Sequence, residues 1–156
     1  MNSKPSITID RLVQFWMEEV KPPIGKALEL APDDKLDWAP AKDMITLGNI
    51  FMHIAEASDW WITTVMDGKK YTDYTPCPSL PKPEIAGLLD AHWKRLENLF
   101  SRSPEAFEKE YDMRRFKRDS SVTGEWIFLH LFEHDIHHRS QINHYLRILG
   151  IKPPRI

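Results

Sequence analysis

The chain has 156 residues, 42% of them hydrophobic and 28% charged, with a formal net charge of −2. This composition suits one soluble globular domain over residues 1–156 and argues against a disordered chain, and the near-neutral charge offers no basic footprint for nucleic acid. No apolar run approaches the roughly 18 residues of a membrane span, the first residues lack a signal peptide's apolar centre, and the single cysteine, Cys77, cannot close an internal disulfide, so a cytoplasmic protein with no membrane or nucleic-acid partner is expected.

Residues 7–20 place Ile9, Leu12, Val13, Phe15, Trp16 and Val20 at helical spacing with acidic and basic residues between, which predicts an amphipathic helix. Pro22 and Pro23 are expected to interrupt or kink it, with a further turn or two over 24–30. Residues 31–40 read as a loop from their Pro and Asp content.

A second long helix is predicted over 44–66, capped by Asp43 or Thr46 and stopped by Gly68. On its wheel His53 shares a face with Asn49, Ala57 and Trp60. Ala57 leaves room beside the imidazole, and Trp60 can wall a pocket there. Residues 69–83 form a proline-rich connection expected to cross one end of the molecule or cover a pocket.

The third helix is predicted over 84–100, with His92 as a core histidine. Residues 102–121 read as irregular, with a short helix from Pro104 and an extended pair around 107–116. The basic run at 114–118 reads as a solvated loop or an anion site. The fourth helix is predicted over 122–149, capped by Ser121 or Thr123 and closed by Gly150. It is apolar on most sides, which suggests a central position or a face shared with a partner. Trp60, Trp61, Trp93 and Trp126 are expected mainly in the core, with one of them able to line the pocket. Four long helices with long connections point to an all-α four-helix bundle.

The fourth helix holds four of the seven histidines within nine residues, 130 to 138. His130, His134, His138, Gln141 and Tyr145 fall within roughly 80° on its wheel. Histidines four apart lie one turn apart on one face, so two imidazoles can converge on one ion. The pairs His130/His134 and His134/His138 both have that spacing, and spacing does not choose between them. His53 is the best candidate from another helix. Three imidazoles suit a borderline divalent ion such as Zn²⁺, Ni²⁺ or Fe²⁺ and leave coordination positions open. Glu56 or Glu133 can accept from an imidazole N–H, and Gln141 can orient water. Arg139 is read as a tie between helices, and Cys77 as a loop residue without a base.

Two segments resemble the DinB-like superfamily. Residues 46–56, TLGNIFMHIAE, are similar to its second-helix histidine segment. Residues 132–142, FEHDIHHRSQI, followed by Tyr145-Leu146-Arg147 and Gly150, are similar to its fourth-helix signature, with Ser140 where the family commonly has Gly. The resemblance implies a bundle of up-down-down-up topology, a homodimer, and a divalent metal held by His53, His134 and His138, with His130 beside the site. It also implies a metal-dependent enzyme acting on a small molecule, as a thiol S-transferase using a low-molecular-weight thiol or as a hydrolase. The alternative is a non-catalytic metal-containing module that binds a ligand or serves a stress response.

Overall fold

The computed structural model describes residues 7–70, 72 and 78–155. Helix α1 spans residues 9–30, with Thr8 Oγ1 accepting from the Arg11 N–H at 3.3 Å as its N-cap. Pro22 and Pro23 lack amide hydrogens, so the carbonyls four residues earlier lose their donors. The α-helix is interrupted just before the prolines but does not end there. The helix widens to π geometry over Trp16–Val20 and runs on as an α-helix over Lys21–Leu30. The carbonyl of Glu19, which Pro23 cannot serve, accepts instead from Arg139 Nη1 at 2.7 Å. Arg139 thereby ties α1 to the last helix.

Helix α2 covers residues 47–66, α-helical over Leu47–Ser58 and π over Asp59–Met66. Thr46, not Asp43, caps its start through the Asn49 N–H. At its far end Arg115 Nη2 donates to the carbonyls of Thr64 and Val65 at 2.6 and 2.7 Å, and Gly68 turns the chain at φ 69°. Of the connection that follows, Ser79 packs on the start of α2. Its Oγ lies where a Cβ on Gly48 would approach to 2.6 Å, and its N–H donates to Asp37 Oδ1 at 2.6 Å. Ser79 thus sits at the end of the bundle where α2 begins. Cys77 lies outside the described residues.

Helix α3 is Lys82–Phe100 and the short α4 is Pro104–Glu108. Strand β1, Glu110–Asp112, pairs antiparallel with β2, Ser121–Thr123, in the register Tyr111↔Val122. The expected extended pair at 107–116 is corrected accordingly. Its second strand lies at 121–123, because residues 114–116 form a 3-10 turn. Pairing with β1 delays the last helix, α5, to Gly124–Ile148, capped by Thr123.

The side-chain contacts define the topology. Lys21 meets Glu97 and Lys82 meets Asp33, so α1 and α3 run antiparallel. Asp59 meets Arg95 and Asp67 meets Arg102, so α2 and α3 run parallel. Trp61 touches Trp126 while Tyr145 reaches the Ile45 carbonyl, so α2 and α5 are antiparallel. Phe15 touches Phe132 and Glu19 binds Arg139, so α1 and α5 are parallel. This is an up-down-down-up four-helix bundle. Trp16, Ile24, Ile50, Phe51, Leu96 and Phe128 are fully buried at its centre. Helix α5 is one wall of that core, not a central mast. It leaves Leu129 46% exposed, and Trp126, expected inside, 44% exposed. No helix among the described residues is long and apolar enough to cross a membrane.

Candidate metal centre

His53 projects from the middle of α2 toward α5, where His134 and His138 occupy successive turns. One ligand nitrogen from each of the three lies within 4.8 Å of the other two. His53 Nε2 and His134 Nε2 stand 3.2 Å apart, and the His134 and His138 ring centroids are 4.3 Å apart. Two nitrogens bound to one tetrahedral ion at about 2.05 Å would be separated by about 3.3 Å, so the spacing fits a shared ion.

The tautomers fit as well. His53 Nδ1–H donates to Glu56 Oε2 at 3.1 Å, and His138 Nδ1–H donates to the Gln141 amide oxygen at 2.9 Å. Each bond fixes the proton on Nδ1 and leaves Nε2 with a free lone pair. Burial, followed by the neighbouring His134, pushes the His138 pKa down to about 4. It is therefore neutral near pH 7, the form that binds a metal.

Behind His134 lies a polar cluster that periodicity did not single out. Asp135 is fully buried, and its Oδ2 accepts from Trp16 Nε1–H at 2.8 Å and meets His92 Nε2 at 2.9 Å. His92 is thus a buried histidine partnered at Nε2. Burial opposes the Asp135 charge, but the neighbouring His92 and His134 outweigh it and hold the carboxyl below the usual range. The other oxygen, Oδ1, has no hydrogen-bond partner, and neither does His134 Nδ1. These two buried atoms face each other at 3.9 Å. The signal for Asp135 was present. It interrupts the core stripe of Phe128, Leu131, Ile142 and Leu146 on α5, where a charged residue must find buried partners.

The histidines border a cleft of about 460 Å³. It is lined by His53, His134, Glu56 and Ala57 together with Trp60, Trp61, Trp126, His130 and Arg118. His130 stacks on Trp126 with centroids 4.8 Å apart and planes 11° apart. Burial, followed by His134, lowers the His130 pKa. Gln141 lies outside this lining and serves His138. Glu133 is exposed, as are His137 and His144. The structure thus brings His53, His134, His138, His130 and Trp60 to one place. It adds Arg118, which was legible only as part of a basic run.

A search among curated proteins finds no match. Among solved structures the chain is similar to a DinB-like protein from Bacillus cereus (21% identity, TM-score 0.72, 96% of this chain and 97% of that one). It is also similar to the DinB-like protein YjoA from Bacillus subtilis (18% identity, TM-score 0.71, 93% and 96%). A third is YfiT from Bacillus subtilis (17% identity, TM-score 0.66, 97% and 95%), described as a probable metal-dependent hydrolase with an unusual four-helix bundle topology. At these identities the likeness establishes the fold. The family model of the DinB superfamily matches residues 24–142, a span that includes His53, His134 and His138, and on that match the chain belongs to the DinB superfamily.

Proposed function

We propose that this chain is a metal-dependent enzyme acting on a small molecule, with His53, His134 and His138 holding one divalent ion through their Nε2 atoms. The reaction is hydrolysis, or transfer of a low-molecular-weight thiol to an electrophile. The approach of two imidazole Nε2 atoms to 3.2 Å carries the reading. With the His53 proton held on Nδ1 by Glu56, His53 Nε2 presents a lone pair that can accept from His134 Nε2–H or, with the His134 proton on Nδ1, share a cation with it. When bound, a divalent ion supplies Lewis acidity toward a substrate oxygen and lowers the pKa of a water or thiol. YfiT's description as a probable metal-dependent hydrolase supports the same class.

The chain's own residues complete the arrangement. Glu56 and Gln141 hold the His53 and His138 rings, and the buried Asp135 carboxylate faces His134 Nδ1 at 3.9 Å, beyond hydrogen-bond distance. His130, its pKa lowered by burial, is neutral at pH 7 and faces the same cleft, so one of its ring nitrogens accepts the nucleophile's proton. Trp60, Trp61 and Trp126 restrict water around the reacting groups. Exposed apolar side chains on α1 and α5, among them Phe15 and Leu129, support a homodimer across that face.

The test begins with elemental analysis of the purified protein, where stoichiometric Zn, Ni or Fe is expected. His134→Ala should lose the metal and all turnover. An unchanged metal content in that variant sinks the ligand assignment. A panel of esters and amides, then an electrophile with bacillithiol, mycothiol, glutathione or cysteine, assigns the reaction. His130→Gln should keep the metal and lose about 10²–10⁴-fold in rate. Sedimentation showing a monomer at micromolar concentration overturns the dimer.

A further inference from the structure

We infer that the cleft beside the histidines takes a small organic anion, a carboxylate or a like oxyanion on a flat apolar body, with Arg118 as the residue that recognises the charge. The inference rests on the cleft described above as the substrate site. Among the described residues the carboxylate lining the cleft is Glu56, and it accepts from His53. Among the described residues the guanidinium lining the cleft is Arg118. The Arg118 side chain makes no hydrogen bond or ion pair with any described residue, whereas Arg114 is committed to Asp112 and Arg115 to the carbonyls of α2.

The placement of Arg118 is built into the fold. Arg115 fastens the loop to the end of α2, and the Phe116 ring packs on Trp60 with centroids 4.5 Å apart. Lys117 then takes the left-handed conformation at φ 59°, and the Arg118 N–H returns to the Met113 carbonyl at 3.3 Å. The chain is therefore held on both sides of Arg118. Opposite it, Trp61 packs edge-on against both Trp126 and His130, with centroids 5.2 and 5.3 Å away. That wall is rigid, apolar and aromatic, suited to a flat hydrocarbon group. A planar guanidinium suits a carboxylate, phosphonate or sulfonate through paired hydrogen bonds. About 460 Å³ accommodates a small molecule of this kind.

Benzoate and its neutral isostere benzamide test the inference, with binding read by tryptophan fluorescence, since three tryptophans line the cleft. Benzoate should bind about tenfold tighter than benzamide, the ratio expected of one charge-assisted hydrogen-bonded pair. That preference should persist, weakened, in chelator-stripped protein. Arg118→Gln should abolish it while leaving benzamide binding and metal content unchanged. Equal binding of the two probes to the wild type overturns the inference. So does a preference that Arg118→Gln retains, or one that disappears entirely when the metal is stripped. Because the stripped protein reads Arg118 without turnover, failure here is separable from failure of the catalytic reading, which shows as missing metal or missing activity.

Discussion

Replacing Asp135 with Ala removes the acceptor shared by Trp16 and His92 at the centre of the bundle. Trp16, His92 and Asp135 are each 0% exposed, so bulk solvent does not reach the groups that lose their partner. Two buried polar groups left without partners cost about 1–3 kcal/mol each, or about 2–6 kcal/mol together. Relief of the buried carboxylate's desolvation works the other way, but the Trp16 N–H and the His92 imidazole remain sealed in the core, and their cost should dominate. A domain's total stability is about 5–15 kcal/mol, so the variant should sit near the threshold for folding. The assay is urea unfolding at neutral pH, with slope and midpoint fitted separately. Asp135→Asn, which keeps an acceptor oxygen, should lose less. The combination Asp135→Leu, Trp16→Phe and His92→Leu should recover stability relative to Asp135→Ala, because it strands no polar group. An Asp135→Ala variant within about 1 kcal/mol of wild type at an unchanged slope would show that this cluster does not hold the core as argued.

Two further outcomes are expected. In metal-stripped protein the His138 pKa of about 4 lies below its usual 6.5. The unfolded chain then binds the proton that the folded chain refuses, so stability is full above about pH 6.5 and falls as pH drops toward 4; urea midpoints that rise on acidification through that window would contradict this. Arg139→Met frees the Glu19 carbonyl and should cost about 1–3 kcal/mol. Pro23→Ala should restore part of that loss, because an amide at position 23 can serve the same oxygen, and a double-mutant cycle showing strict additivity would refute the link.

Much of the architecture could be read from spacing. The apolar periodicity of 7–20, 44–66, 84–100 and 122–149 located the four helices, and the four-residue interval between histidines placed His134 and His138 on one face. Local rules failed where distant residues supplied partners. Pro22 and Pro23 predict a break when only the helix itself is considered. A π segment and an arginine 116 residues beyond Pro23 carry the helix through. Val122 reads as the first helical residue, but β1 pairs with Ser121–Thr123 as a strand, and Thr123, one of the two predicted caps, starts the helix at Gly124. Trp126 reads as core because indole is large and apolar, yet it stands at the rim of the cleft against His130.

The histidine-rich stretch of α5 shows the division most clearly. The sequence alone determined that imidazoles line one face there, because 3.6 residues per turn superimposes positions four apart. Spacing left two histidine pairs equivalent, and the resemblance of the two histidine segments pointed to His134 and His138. Packing gives the physical reason: the antiparallel approach of α2 brings His53 between His134 and His138, while His130 is turned toward Trp61 and Trp126. The Asp135 cluster and the cleft position of Arg118 likewise arise from helices and a loop far apart in the chain. Periodicity reports which face of one element is apolar, but which residue of another element meets it is set by how the elements pack.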